Sequence, residues 1–363
     1  MRILSVPFPA WETVFSAEAA AAAFNGLGSA AVRDGVPDYL PLMPERAASL
    51  FLPDSPFPDP AAAGVDRVKR AVFALSGDGS IAGLACGNAS PASETAYVTV
   101  LLTDRHDAEG EEIRRELLDA LTGDLRAVNP GLKRVSWIFY NPTLVPWRLP
   151  ESFSGACQTR PTHPGAPGVA ETDPARKTLL EAGWREFAPL CAYCRTLADY
   201  EVPEPLRLRT EENAARGLFV EEYDPALHAS FGPLLYALGC EDWRRTVLGN
   251  AEKEKPLPVM IAADRSPEAL AENGGKGFVC GFAGPMKRAE DGRGYFAGIG
   301  IHPAYRSRGL GSTLFAGLCR GLKALGADYM TLFTGVGGTA SRIYEKAGFI
   351  PACRFAGMEK ELS

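Results

Sequence analysis

The sequence predicts an α/β protein of two tandem domains, and three observations carry that expectation. The chain has 363 residues, which at about 150 residues per domain is room for two or three. Strand-like and helix-like segments recur in the same order in each half. Between the halves lies Val202-Pro203-Glu204-Pro205, a charged, proline-bearing stretch that reads as a linker. We therefore expect domains over 1–203 and 204–363.

In the first half, apolar runs predict strands over 71–75, 81–86 and 97–102, a helix over 111–125 and a strand over 135–140. A helix over 173–182 and a strand over 187–194 follow. In the second half we expect a strand over 218–221, then a helix over 225–238 with Asp224 as N-cap and Pro225 in its first turn. Strands over 259–263, 278–283 and 295–301 come next. Residues 309–325 read as a helix, with Leu314, Phe315, Leu318, Leu322 and Leu325 on one face and Gly326 at its end. A strand over 329–333, a short helix over 339–346 stopped at Gly348, and a strand over 353–358 complete the pattern. The tails of the halves align without a gap. Ala175-Arg-Lys-Thr-Leu-Leu-Glu-Ala-Gly-Trp184 lies over Ala340-Ser-Arg-Ile-Tyr-Glu-Lys-Ala-Gly-Phe349, and the shared element order reads as an internal duplication. Residues 141–168 break the symmetry: they are rich in proline, lack periodicity, and have only a few counterparts in the second half.

Composition narrows the function. Lys and Arg total 38 against 44 Asp and Glu, for a net charge of −6. Residues 1–200 hold 18 basic and 24 acidic side chains and residues 201–363 hold 20 of each, so the acidic excess lies in the first half. A pI near 5.5 without a long basic run argues against a general nucleic-acid partner. No stretch is long and apolar enough to read as a membrane span. The N-terminus makes a poor signal peptide, so we expect a cytoplasmic protein without a membrane partner. Of eight cysteines, only Cys191 and Cys194 form a CxxC. They fall on an expected strand, three residues apart and facing opposite ways, with no second pair nearby. Ordinary reduced thiols and no metal site are the expectation.

The stretch that carries chemistry runs from Gly298 to Thr313, Gly-Ile-Gly-Ile-His-Pro-Ala-Tyr-Arg-Ser-Arg-Gly-Leu-Gly-Ser-Thr. It reads as a strand, a proline turn, and a glycine-bearing loop opening a helix. Gly309 and Gly311 let backbone approach a ligand closely. The helix start offers unpaired N–H groups and a positive dipole end, and Arg306 and Arg308 add fixed positive charge. Together they describe a pyrophosphate cradle that is neither a Walker A loop nor a dinucleotide GxGxxG. Gly298 and Gly300 inside the strand suggest a bulge or close ligand approach. A strand splayed from its neighbour there would expose N–H groups able to bind an amide-bearing arm or an oxyanion.

These residues resemble the GCN5-related N-acetyltransferases. Arg306-x-x-Gly309-x-Gly311 after a strand ending His302-Pro303 is similar to that family's acetyl-CoA signature, and residues 340–349 to its second signature. The resemblance covers residues 217–363 strongly and 70–200 in outline, as in tandem members of the family. It implies two domains of mixed, mainly antiparallel sheet flanked by helices. It implies an acyl-CoA-dependent N-acyltransferase moving acetyl from acetyl-CoA to a small-molecule primary amine by direct attack. By position, the Ile299, Gly300 and Ile301 backbone would hold the pantetheine arm. Arg306, Ser307, Arg308, Gly309, Leu310, Gly311 and Ser312 would hold the pyrophosphate. Tyr344 matches the tyrosine that protonates the departing CoA thiolate.

The sequence departs from the family twice. Gly337 stands where an Asn is common, and the strand over 295–301 lacks the frequent Glu base. Glu221, Glu222, Glu241 and Asp242 are the remaining base candidates. His302, before a proline at the turn, reads as structural. A non-catalytic acyl-CoA sensor or scaffold is the alternative reading. In the first half, alignment from the strands lays Asp107-Ala-Glu-Gly-Glu-Glu112 over Arg306–Gly311, and Leu179 over Tyr344. Carboxylates in place of arginines would oppose a pyrophosphate, so that half is expected to bind no CoA. Residues 240–245 and 163–167 are similar to stretches in tandem members linked with amino-sugar metabolism, making an amino sugar one acceptor to consider. Trp243 reads as a core residue or a sugar-stacking one, and Trp147, Arg148 and His163 as candidates to reach the second site. A monomer or a homodimer is expected.

Overall fold

The computed structural model describes residues 1–6, 16–52, 66–105, 107–156, 160–229 and 231–362; Cys157 lies outside them. The chain divides into two compact units. Met1–Pro150, Thr162–Ala192 and Cys353–Ser363 form the first; Glu151–Pro161 and Tyr193–Ala352 form the second. Among the described residues no helix is long and apolar enough to cross a membrane, and no cluster of His, Cys, Asp and Glu could hold a metal.

The first unit contains β1 (Arg2–Val6), α1 (Ala17–Ala31), β2 (Asp38–Tyr39), α2 (Pro44–Phe51), β3 (Val68–Leu75), β4 (Ile81–Ala89), β5 (Thr95–Thr103), α3 (Ala108–Val128) and β6 (Arg134–Trp137). β1, β3, β4 and β5 run antiparallel in that order, and β6 joins β5 in parallel. The C-terminal residues pair antiparallel with β6, Met358 against Trp137. Leu117, Leu121 and Leu125 of α3 lie on the stripe that meets this sheet and are fully buried with Val72, Val98 and Val135.

The proline-rich segment is built into this unit. β7 (Trp147–Arg148) and β8 (Thr162–His163) form a three-stranded sheet with β2. Trp147 is buried with its ring edge-on to Phe355. His163 is buried against the Gly165 carbonyl, and Arg148 pairs with Asp38 at 3.4 Å. These three side chains are thus engaged in the first unit's own packing. β6 ends at Trp137 rather than 140, because the Asn141 N–H turns back onto the Ile138 carbonyl. Next come β9 (Val169–Ala170), α4 (Pro174–Glu181) and β10 (Arg185–Thr196).

The second unit holds α5 (Glu204–Ala214), β11 (Leu218–Glu222), α6 (Gly232–Leu238), α7 (Glu241–Ala251), β12 (Met260–Asp264), α8 (Pro267–Glu272), β13 (Phe278–Arg288), β14 (Arg293–Ile301), α9 (Leu310–Ala324), β15 (Tyr329–Gly335) and α10 (Thr339–Lys346). β11 to β14 are antiparallel neighbours, and β15 pairs with β14 in parallel. Each unit is therefore a mixed, mainly antiparallel sheet flanked by helices. β16 (Ile350–Glu361) ends the chain.

One helix is shorter than the periodicity predicts. Asp224 caps a turn by accepting from the Ala226 N–H, but the helix stops there and α6 begins only at Gly232. The Leu227 carbonyl accepts from Gly277, and the Ala229 N–H donates to Gly277. Those groups are spent on a bridge to Gly277, just before β13, and cannot close helical turns.

The duplication is explicit in α4 and α10. Each has eight residues, and each ends at a left-handed glycine, Gly183 (φ 82°) and Gly348 (φ 84°). Trp184 donates to the Leu179 carbonyl and Phe349 to the Tyr344 carbonyl, both at 3.0 Å. Glycine is needed because the closing turn requires positive φ.

Candidate active site

The site lies wholly in the second unit, where β14 leaves its neighbour. β14 and β15 pair at Arg293–Tyr329 and Gly294–Met330. Among the described residues no further pair joins them, while β14 stays paired with β13 to Ile301. His302 donates to the Cys280 carbonyl on the β13 side. By alternation, Ile299 and Ile301 turn their backbone groups to the opposite, open edge. The Ile301 carbonyl accepts from Arg306 Nε at 3.3 Å, as that direction requires.

The strand glycines are explained by packing. A Cβ on Gly298 would stand 2.5 Å from Trp243 Nε1, and one on Gly300 would stand 2.7 Å from Leu238 Cδ1. Trp243 lies across the strand and meets Phe282 edge-on, centroids 5.7 Å apart. It is a partly buried wall on the core rather than a free stacking surface.

After Ile301 the chain makes a short turn capped by His302, whose Nδ1 accepts from the Ala304 N–H at 3.2 Å. That role is structural. Tyr305 donates to Asp264 at 2.8 Å, and the Arg308 guanidinium lies over the Tyr305 ring. Ser307 (φ 64°) and Gly309 (φ 78°) are both left-handed, and such tight turns converge successive N–H groups on one point. Gly309 is the N-cap of α9 and supplies no capping side chain. Among the described residues, the N–H groups of 307–311 meet no acceptor in the chain. Orphan donors at a helix start, with the dipole behind them, fit a pyrophosphate.

A cavity of about 510 Å³ opens over this loop, lined by Ile301, Arg306, Ser307, Gly309, Leu310, Gly311 and Ser312 with Thr339, Arg342, Ile343 and Lys346. A second, of about 230 Å³, carries Ile299, Gly300, Ile301 and Tyr344. The two share Ile301, Gly311, Thr339 and Ile343. A third, of about 490 Å³, includes Arg308 and Arg209. The structure thus brings together all eleven residues the sequence singled out. Arg342 and Lys346 were missed, although their i,i+4 spacing on α10 marks one cationic face. Arg209 was missed because it lies on α5, whose charge pattern carried no such signal.

Tyr344 is 8 % exposed and packs on Phe315 and Tyr193, centroids 4.8 and 6.1 Å away. Burial pushes its phenol up to about 12, so it stays protonated at neutral pH. None of the four carboxylate candidates lines these three cavities. Glu221 is taken by Arg265 at 2.8 Å and by buried His228 at 3.0 Å. Glu241 is held by Arg244, whose hydrogen bond lowers its carboxyl below the usual range.

The first unit differs at both features of this site. Its connection from Thr103 to Ala108 is shorter than that from Ile301 to Leu310. By helix start, Asp107 therefore matches Gly309, not Arg306 as the strand alignment had it. The Asp107 carboxylate accepts from Glu109 and Gly110 N–H at 3.1 and 3.2 Å, occupying the helix start. Beyond the β5–β6 pairing, Asn141 donates to the Val98 carbonyl and to Thr99 Oγ1, each at 3.0 Å. Leu179, sixth in α4 as Tyr344 is in α10, is fully buried.

Residues 237–349 match the model of the acetyltransferase (GNAT) family. The second unit carries a GNAT acetyltransferase domain. No curated protein matches the chain. Among solved structures, a GCN5-related glucosamine N-acetyltransferase region of a fungal multi-domain GH3 β-N-acetylglucosaminidase is similar at 13 % identity and TM-score 0.59. The match covers 99 % of this chain and 38 % of that one, so this chain spans well under half of that protein. A tandem GNAT protein from the clavulanic acid biosynthesis pathway is 13 % identical with TM-score 0.53, covering 99 % and 98 % of the two chains. A GCN5-related N-acetyltransferase from Sphaerobacter thermophilus is 15 % identical with TM-score 0.54, covering 99 % and 95 %. The fold of the chain is that of tandem GNAT proteins.

Proposed function

We propose that the GNAT domain transfers acetyl from acetyl-CoA to the primary amine of a small molecule by direct attack, and that the first unit binds no CoA. One observation carries this reading: an uncapped helix start, a splayed strand edge and a buried phenol share one continuous cleft. The N–H groups of 307–311, with Arg306, hold the pyrophosphate. The open edge at Ile299 and Ile301 takes the pantetheine amides as a sheet edge takes a strand. An N–H of that edge polarises the thioester carbonyl.

Tyr344 serves as thiolate partner. A phenol near 12 lies above a thiol near about 8.5, so complete proton transfer is uphill. Tyr344 instead donates a hydrogen bond as negative charge grows on sulfur. The interaction strengthens along the reaction and so lowers the barrier. The ammonium of the acceptor loses its proton to water, because no carboxylate candidate lines the cleft.

An amino sugar is the first acceptor class to test, on the sequence stretches noted above and the description of the fungal neighbour. The alternative, a non-catalytic acyl-CoA sensor, draws on Gly337 and on the absence of a carboxylate from β14. Mass spectrometry of amino sugars, amino acids, polyamines and aminoglycosides incubated with acetyl-CoA separates the two. Transfer predicts an acetylated amine from one class; a sensor predicts CoA binding with no acetylated product.

A further inference from the structure

We propose that Arg209 and Lys346 form a second anion subsite beside the pyrophosphate loop, and that it takes the 3′-phosphate of CoA. The inference rests on reading the cleft as an acetyl-CoA site. A cavity of about 490 Å³ flanks the loop and shares no lining residue with the cavity that carries Tyr344. Its polar lining is Arg209, Arg308, Lys346, Ser307 and Ser312, and no carboxylate belongs to it. It shares Ser307, Gly309, Ser312 and Lys346 with the cavity over the loop. An anion there is one short step from a pyrophosphate on the loop.

Arg209 is placed by contact with the loop. A Cβ on Gly309 would stand 3.0 Å from Arg209 Cδ, so the arginine stem lies on the left-handed residue that opens the helix start. The two arginines of α5 differ in how they are held. Arg207 is clamped by Glu204 and Glu211. Arg209 pairs with Glu212 at 2.8 Å, with both side chains about half exposed. Such a pair is weak and exchanges readily for a phosphate. Across the loop, Lys346 and Arg342 stand four residues apart on α10, and the described residues place no carboxylate within ion-pair distance of either. Like charges at that spacing disfavour a helix unless an anion sits between them and the loop.

The chemistry of the ligand supplies that anion. The loop N–H groups and Arg306 account for the two linked phosphates of CoA. One further phosphate, on the 3′ position of the ribose, remains, and it carries close to two negative charges. Arg209 lies outside residues 237–349, on α5 of the second unit, ahead of the matched residues.

Calorimetry of the full chain with CoA and with dephospho-CoA tests the assignment. The wild type is expected to bind CoA about tenfold more tightly than dephospho-CoA, a preference shrinking at high salt. Arg209→Ala is expected to abolish most of that preference while dephospho-CoA affinity stays within about twofold. Lys346 also lines the cavity over the loop, so Lys346→Ala should reduce the preference and weaken both ligands together. Equal affinity of the wild type for both ligands, or equal loss of both in Arg209→Ala, overturns the subsite and leaves the acetyl-CoA reading standing. Failure of both ligands to bind the wild type overturns both.

Discussion

Single residues in the cleft are tightly constrained by their neighbours. Gly298 has no room for a side chain because Trp243 Nε1 would lie 2.5 Å from its Cβ. Gly298→Val should therefore displace Trp243 and destabilise the protein by about 1–3 kcal/mol, read as a lowered midpoint in urea. Gly337 is the contrast: nothing lies within 4 Å of a Cβ there, and Asn tolerates positive φ. Gly337→Asn should leave stability within about 0.5 kcal/mol. The sequence identified Gly298 as special but not why, since Trp243 is 55 residues away in the chain. It named Tyr344 by position, while the elevated phenol follows from burial among Phe315 and Tyr193. Protonation of that phenol persists up to about 12. The rate should therefore rise with pH as the acceptor amine deprotonates and show no alkaline decline from Tyr344 below about pH 11; a decline near pH 9 that Tyr344→Phe abolishes would contradict its state.

At the scale of elements, local signals predicted strands and helices well where periodicity and caps agreed. α10 coincides with its expected span of 339–346, and α9 differs by a residue at each end. Misjudged elements were those ended by distant partners. The turn after Asp224 stops because Gly277 takes its backbone groups. The segment 141–168 gains strands because β2, far back in the chain, pairs with β7. α4 carries a buried titratable cap. Asp173 accepts from the Ala175 N–H at 2.8 Å, and burial raises its carboxyl to about 7, against the pull of that bond and of Arg114. In the unfolded chain it ionises near about 3.9. Between these values the folded state keeps a proton that the unfolded state has lost, so this residue's contribution to stability falls as pH rises from about 4 to 7. Asp173→Asn keeps the cap without the charge. Its melting temperature relative to wild type should climb from pH 5 to pH 7; a constant difference would contradict the raised value.

At the scale of the whole molecule, two similar folds differ at one helix start, capped by Asp107 in the first unit and left without a side-chain cap at Gly309 in the second. The acidic excess of residues 1–200 pointed to a first half without CoA, through carboxylates placed on an equivalent loop. The structure differs from that alignment. That loop is shortened, Asp107 accepts from two N–H groups of the helix start, and Asn141 donates to the Val98 carbonyl beyond the β5–β6 pairing. Sequence alignment could not reveal this, because the shortening moves the register by three residues. Calorimetry on the full chain should give one CoA per chain, with Arg306→Glu weakening that single event. Cutting the chain at the 202–205 linker is a poorer test, because residues 353–363 belong to the first unit.

The central claim is that the cleft of the second unit performs acetyl transfer with Tyr344 supporting the departing thiolate. Amine-dependent release of the CoA thiol from acetyl-CoA, measured side by side for wild type and Tyr344→Phe, tests it most directly. The account predicts thiol release that requires the acceptor amine and falls about 100-fold in Tyr344→Phe, with CoA affinity nearly unchanged. Tight CoA binding without amine-dependent thiol release in the wild type, or equal rates in the two proteins, would contradict it.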